Sequence, residues 1–525
     1  MSTYRLDTLF APRSVALVGG SPRDTSMGRA VLRNLRGQGF EGTIHVVNPH
    51  YGEIDGIACV RSLSALPQVP DVVVIATPAA HVQVVVEEAA RLGVAAAIIL
   101  TAGLPSGPGS VQERIAAAAR AHGMRIVGPG SLGVLAPRVH FDASFAARAA
   151  KPGDLALISQ SGAVAGAVLE WAALHGAGFS GVVSLGDKLD VDFGDCLDHF
   201  AQDRATRAIL LYVESINDPR KFMSAARAAA RMKPVVVVKG GRNNEAARAS
   251  MTHTGALATA DAVFEAAARR AGLLRVNDLD ELFAAVETLS RTAPFAGDRV
   301  AVLTNGGGLG VLAVDRLIDF GARLSPLSPD SITALDAAMP PVWSGGNPVD
   351  IGGDADAARY AAALRVLLAD ATVDAILVVN CPSALVSSGA AAAAVADVVR
   401  TYRSGSYRPK PVFAVWLGDR TEATAVFETA RVPSYGSEAD AARGITHLIA
   451  YRKAQDLLME TPPSLPSDFA PDPVAARTVV AAALATGREW LDQVAVTAVL
   501  EAYQIPVAPV RAAATPAEAG AIARD

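Results

Sequence analysis

The segment GDLALISQSGAVAGAVLEWAALHG, residues 153–176, decides how the chain folds. A short apolar run from Leu155 to Ile158 meets the small polar cluster Ser159-Gln160-Ser161-Gly162, and an Ala-rich segment of helical length follows. That is strand, turn and helix, the opening of a unit whose strand is covered on both faces. The same order returns in GDRVAVLTNGGGLGVLAVDRLIDFG, residues 297–321, beginning 144 residues later.

The repeat predicts two related flavodoxin-like domains with parallel sheets. Further strands are expected at Ala208–Val213 and Pro234–Lys239 in the first copy, and at Asp374–Asn380 and Pro411–Leu417 in the second. Upstream, apolar runs at Ser14–Val18, Thr43–Val47, Asp71–Ala76, Ala95–Leu100 and Met124–Val127 alternate with helical segments such as Met27–Gly37 and Ala80–Gly93. This is the pattern of a Rossmann-like domain. The overall class is α/β, with domains expected at 1–145, 146–293 and 294–458. Pro-rich Glu460–Pro473 reads as a linker. The tail should hold two helices, a strand at Val507–Arg511 and a capped helix opening at Thr515-Pro516-Ala517-Glu518. Residues 459–525 are thus read as a linker and the start of an incomplete further domain.

The 525 residues suggest about three to four domains. With 47 basic and 52 acidic residues the net charge is -5, so no positive field draws nucleic acid or anionic lipid. Charged residues at 19% and apolar residues at 51% exclude a disordered chain. Cys59, Cys196 and Cys381 are far apart and have neither zinc-site nor disulfide spacing. Without an apolar leader or a long apolar stretch, a cytoplasmic protein is expected, with no membrane partner and no metal site.

Gly19-Gly20-Ser21 follows a strand and precedes a helix, with Gly28 close behind. Small residues there let a phosphate approach backbone N–H groups, which suits a nucleotide-containing ligand; a tight turn and nothing more is the competing reading. The second strand ends in Asn48-Pro49-His50-Tyr51, without the acidic residue that holds the ribose of NAD, which weighs against an oxidoreductase. Ser159, Gln160, Ser161 and Gly162 stand where an anion or a simple helix cap would fit. His253 lies in the polar loop Thr252-His253-Thr254-Gly255, where its imidazole could take up a phosphoryl group. Glu214, at the end of Ile209–Val213, is the candidate carboxylate to orient it. Thr304-Asn305-Gly306-Gly307-Gly308 and Asn347-Pro348-Val349-Asp350 suit architectural turns. Lys233, Lys239 and Arg242 read as solvated charges at loop ends.

Taken in order, SVALVGGS (14–21), ATPA (76–79), TAGLP (101–105), GPGSLGV (128–134), GDLALISQSGAV, THTGALA (252–258), TNGGGLGVLAVD, NPVD and VLEAYQIPVAPV (499–510) resemble the NDP-forming acyl-CoA synthetases. That superfamily includes ADP-forming acetate-CoA ligase and succinyl-CoA synthetase, and the likeness spans essentially the whole chain. It implies a CoA-binding Rossmann domain, two flavodoxin-like ligase domains and an ATP-grasp domain of which only the opening is present. It further implies CoA contacts at Gly19, Gly20, Ser21, Asn48, Pro49, Thr77, Pro78, Thr101 and Ala102. Phosphate contacts are implied at Ser159, Gln160, Ser161, Gly162, Thr254 and Gly255, with His253 as phosphohistidine steadied by Glu214.

In such a cycle a carboxylic acid and a phosphoryl group form an acyl phosphate, which the CoA thiol converts to a thioester with release of phosphate. ATP or ADP and Mg2+ would enter only through an ATP-grasp domain or subunit, and a homo- or hetero-oligomer is expected. The sequence departs from the family at Gly130, often Asn, and at His50, often Lys. Residues 184–290 also resemble the ligase-like portion of GNAT-type protein lysine acetyltransferases, so an acyl-CoA-sensing regulatory role is the alternative reading.

Overall fold

The structure, a computed structural model, describes residues 3–243, 245–246, 260–292, 295–418, 420–460, 469–508 and 510–524. Met1–Met459 forms one compact unit and Glu460–Asp525 a second.

The first sheet contains β1 (Ser14–Val18), β2 (Thr43–Val47), β3 (Glu53–Ile54), β4 (Ile57–Val60), β5 (Val72–Ile75), β6 (Ala96–Ile99) and β7 (Arg125–Val127), in the order β3-β4-β2-β1-β5-β6-β7. All its pairings are parallel except β3 with β4. Val and Ile fill β1 and β5 because both faces are covered; every residue of β5 is buried. The order reverses at β1, so β2 and β5 flank it and their connections leave in opposite directions.

The second sheet is β14-β13-β12-β10-β11-β8-β9, built from β8 (Gly133–Ala136), β9 (Phe141–Ser144), β10 (Pro152–Ser159), β11 (Phe179–Ser184), β12 (Ala208–Val213), β13 (Val235–Lys239) and β14 (Leu274–Val276). Its parallel part has the flavodoxin order 2-1-3-4-5. β8 and β9 lie before residue 145, yet β8 hydrogen-bonds antiparallel onto β11 and β9 onto β8, extending the second sheet. Asn34, on the helix Met27–Gly37, clamps this hairpin by donating to the carbonyls of Ser144 (2.9 Å) and Ala146 (3.0 Å). Arg125 of β7 reaches Asp190 (2.9 Å) and the buried Asp195 (3.2 Å), a second tie between the two sheets.

The third sheet repeats the order 2-1-3-4-5 in β15 (Arg299–Thr304), β16 (Arg323–Leu324), β17 (Val349–Asp350), β18 (Ala375–Asn380), β19 (Val412–Trp416) and β20 (Ser434–Tyr435). Here the second strand is split: β16 pairs with Arg299 and Val300, and β17 with Leu303 and Thr304. Asn347 fills the gap. Its Oδ1 accepts from Val302 N (2.9 Å), and its Nδ2 donates to the carbonyls of Val300 and Ser325 (3.0 Å each). The NPVD segment is therefore architectural in its first residue.

In the C-terminal unit, Asp472 caps the helix Pro473–Ala485, a second helix spans Gln493–Ala502, and Thr515 caps Pro516–Ile522. The expected strand at Val507–Arg511 does not form: its described residues have no regular structure. A strand needs a hydrogen-bonding neighbour, and the described residues of this unit contain none. No helix among the described residues is long and apolar enough to cross a membrane.

Asp142 of β9 is 3% exposed, and its carboxylate accepts from Ser144 Oγ, at 2.6 Å, and from the Ser144 backbone N–H. Burial raises its pKa to about 6. The folded state therefore holds a proton that the unfolded chain has lost, and stability falls as pH rises between the two pKa values. Asp142→Asn should stabilise the chain at pH 7.5, by at most about 3 kcal/mol, and lose that advantage by about pH 4. Urea midpoints of both proteins across this range test it.

Candidate functional site

Two crevices open at carboxyl ends of strands, where parallel sheets bind ligands. In the first sheet the chain leaves β1 at Gly19 with φ +92, and a Cβ there would lie 2.7 Å from the Ala76 carbonyl oxygen. Only glycine lets the turn pass this close to the end of β5. A Cβ at Gly28 would overlap the Gly19 carbonyl. The loop runs to Ser26, which caps the helix beginning at Met27 by accepting from Arg29 N. Ser21 Oγ accepts from Arg23 N within it.

Asn48 braces the other wall: its Nδ2 donates to Gly20 O (2.7 Å) and its Oδ1 accepts from His50 N (2.8 Å), bracketing Pro49. Thr101 Oγ1 donates to Thr77 O (2.6 Å), tying the ends of β5 and β6, and Pro78 precedes the helix Ala79–Leu92. Thr77 Oγ1 is buried and has no hydrogen-bond partner among the described residues. Gly130 adopts φ +69, with its Cβ position 3.6 Å from that of Ala102. Asn tolerates that conformation as glycine does, so the departure at Gly130 preserves the turn.

The second crevice lies between β10 and β12. The Ser159 hydroxyl is spent inside its own turn, donating to Ser161 O and accepting from Ser161 N. Ser161 caps the helix Gly162–His175, whose first N–H groups form the positive end. Gln160 spans the diverging strands: its Oε1 accepts from the backbone N–H groups of Glu214 (3.0 Å) and Ser215 (2.9 Å), and its Nε2 donates to Ser215 Oγ (3.0 Å). Gln160 thus builds the wall that displays Glu214. Glu214 is hydrogen-bonded to Tyr212, whose phenol is pushed up to about 12 by burial and then by this carboxylate. Gly240 leaves room for both, since a Cβ there would stand 2.6 Å from Tyr212 Oη and 3.4 Å from Glu214 Cγ.

Two of the lysines and arginines expected as solvated charges are not. Lys239 is 3% exposed, its Nζ donating to Gly240 O (2.6 Å), and burial lowers its pKa. Lys233 is half-buried and donates to the carbonyls of Phe200 and Asp203. Both extend beneath neighbouring backbone, which local composition does not reveal; Arg242 is exposed as expected. The sequence reading also missed Tyr212, Ser215 and Lys188. Their position at strand ends was the available signal. His253, Thr254 and Gly255 lie outside the described residues.

The third unit repeats the wall. Thr304 Oγ1 closes its turn on Gly306, Asn305 Oδ1 accepts from Cys381 N (2.7 Å), and Asn305 Nδ2 donates to Cys381 O (2.9 Å). Cys381 therefore stands where Glu214 stands in the second unit. Among the described residues no cluster of His, Cys, Asp or Glu suits a metal ion.

Residues 13–137 match the CoA binding domain, 152–289 the succinyl-CoA ligase like flavodoxin domain and 300–456 the ligase-CoA domain. The chain is 36% identical over 457 residues to the alpha subunit of ADP-forming acetate–CoA ligase I from Pyrococcus furiosus, covering 85% of this chain and 98% of that one. It is 35% identical over 511 residues to ADP-forming acetate–CoA ligase I from Archaeoglobus fulgidus, covering 96% of this chain and 71% of the relative. A solved acetyl-coenzyme A synthetase 1 from Ca. Korarchaeum cryptofilum, in complex with phosphate and ADP, superposes with a TM-score of 0.75 at 32% identity, covering 86% of this chain and 98% of that one. The chain belongs to the ADP-forming acetate–CoA ligases, acid–thiol ligases of the NDP-forming acyl-CoA synthetase superfamily.

The first crevice fits CoA in two respects: a turn at Gly19, Gly20 and Gly28 packed too closely for any Cβ, which keeps the backbone bare, and a buried Thr77 hydroxyl without a hydrogen-bond partner among the described residues. Thr77→Val removes that hydroxyl at nearly constant shape. It should leave the melting temperature unchanged or higher, while CoA binds about tenfold more weakly, as expected for a lost hydrogen bond of about 1 to 2 kcal/mol. Calorimetric titration with CoA reads the affinity.

Proposed function

We propose that this chain is the CoA-binding and phosphohistidine-bearing part of an ADP-forming acyl-CoA ligase. In this reading residues 1–145 bind CoA, 146–293 carry His253, 294–458 form the second ligase domain and 459–525 lead into an ATP-grasp part. Overall, acyl-CoA, phosphate and ADP interconvert with carboxylic acid, CoA and ATP. The observation that carries the proposal is the wall formed by Gln160, which holds Glu214 at the end of β12, beside the positive end of the helix Gly162–His175.

CoA supplies the thiol, which in the ATP-forming direction gives up the acyl group to phosphate and in the reverse direction takes it back from acyl phosphate. Gly19 and Gly20 admit its phosphates to the backbone, and Thr77 and Thr101 shape the opposite lip. Ser161, Gly162, Thr254 and Gly255 receive the phosphoryl group. A nitrogen of His253 accepts that group from acyl phosphate, releasing the carboxylate, and passes it to ADP. Glu214 accepts a hydrogen bond from the ring's other nitrogen, which keeps the reacting nitrogen's lone pair aimed at phosphorus. The nucleotide and Mg2+ belong to an ATP-grasp domain or subunit, a pairing supported by the alpha-subunit relative.

The test is phosphoryl transfer. With an ATP-grasp partner, radiolabelled ATP and Mg2+, the wild type should gain acid-labile label that His253→Ala lacks entirely. Glu214→Gln should label about 100-fold more slowly while binding CoA normally. Absence of label on the wild type rules out the phosphohistidine, and equal labelling of Glu214→Gln rules out its partner.

A further inference from the structure

Lys188 follows β11 in the left-handed region, at φ 56. Its loop is stitched to the end of the first sheet, because Asp187 N donates to Pro129 O (2.9 Å) and Leu189 N to Gly128 O (3.1 Å). The same turn reaches the first crevice, where Gly130 N donates to Thr101 O (3.0 Å). Lys188 therefore sits at the seam between the two crevices, where an acyl group passing between phosphate and thiol has to cross.

The side chain is 6% exposed, and the single hydrogen-bond partner of its Nζ among the described residues is the neutral hydroxyl of Ser215, at 3.3 Å. No carboxylate of the described residues forms an ion pair with it. Burying an ammonium against a neutral group costs desolvation without a paired counter-charge, an arrangement suited to an anionic ligand. Ser215, also 6% exposed, accepts from both Gln160 Nε2 and Lys188 Nζ. A serine hydroxyl has two lone pairs and one proton. Both lone pairs are engaged, and the proton remains to be donated.

We propose that Ser215 and Lys188 form the subsite for the phosphoryl end of the acyl phosphate, Ser215 donating a hydrogen bond to a phosphoryl oxygen while Lys188 fixes that hydroxyl and offsets the charge. Lys188 is a positioning residue, acting through Ser215 and through its field. The inference rests on the ligase reading above and adds two residues to it. Asp187 and Asp192 from its own loop and Glu214 from the end of β12 face the ammonium, and burial outweighs them to bring its pKa down to about 8. The protonated form binds the anion, so affinity is lost as pH rises through that value.

Titration of the full chain with inorganic phosphate from pH 6.5 to 9.5 tests the subsite, with CoA titration as the control for folding. Lys188→Met and Ser215→Ala should each bind phosphate at least tenfold more weakly at pH 7 and keep the wild-type CoA affinity. Lys188→Arg should bind phosphate without the loss above pH 8; comparison with it at each pH cancels the ionisation of phosphate itself. If Lys188→Met also loses CoA, the Lys188→Arg profile decides. Wild-type phosphate affinity in Lys188→Met or Ser215→Ala, or an unchanged pH step in Lys188→Arg, overturns the inference. CoA binding without phosphate binding in the wild type also overturns it and leaves the ligase reading standing. Phosphate binding that follows these variants, in a chain that never labels at His253, supports the subsite and removes the ligase reading alone.

Discussion

The side-chain amide of Gln160 is the constraint on which the second crevice depends. At a switch point the segments that follow two neighbouring parallel strands turn toward opposite faces of the sheet. The backbone N–H groups just beyond β12 then lose the partner that a continuing strand would give, and buried groups of this kind are costly when unpaired. Gln160 Oε1 accepts two of them at once, from Glu214 and Ser215. The amide is neutral, so it satisfies the backbone without competing electrostatically with an anion nearby. It fixes direction as well as position: Glu214 and Ser215 are turned to the crevice because their backbone is anchored behind.

The third unit shows that this device is a property of the fold before it is a property of the chemistry. Asn305 makes the corresponding bonds to Cys381, with a side chain one methylene shorter and a matching shift in partner atoms. What differs is the residue displayed. Glu214 offers a carboxylate linked to Tyr212, whereas the Cys381 thiol is pushed up by burial and by Asp350 and stays protonated. One scaffold thus presents a hydrogen-bond acceptor in one copy and a weakly polar group in the other.

Much of this was legible in the sequence because apolar runs buried on both faces are continuous, and β1, β2 and the helix Met27–Gly37 have the bounds that composition predicts. The places of Glu214 and of the Ser159–Gly162 turn at strand ends were legible for the same reason, since the apolar runs end there. The roles were harder to read. Ser159 looked like a ligand hydroxyl but closes its own turn, and Gln160 looked like a phosphate contact but holds the wall. The membership of Gly133–Ser144 in the second sheet depends on pairing with β11, nearly fifty residues downstream in sequence. The burial of Lys188 needs three loops from two sheets to converge, so nothing in the neighbouring residues announces it. Val507–Arg511 had the composition of a strand, but composition supplies no partner.

The ligase reading puts the coenzyme in the Gly19–Thr77 crevice and the phosphoryl group at the Glu214–Ser215 wall. A crystal structure of the full chain with CoA and inorganic phosphate measures this directly. It should show the coenzyme's pyrophosphate against Gly19 and Gly20, and a phosphate within hydrogen-bond reach of Ser215 Oγ and the N-terminus of the helix Gly162–His175. Coenzyme bound away from β1 and β5, or phosphate held elsewhere with the Glu214–Ser215 wall untouched, would contradict it.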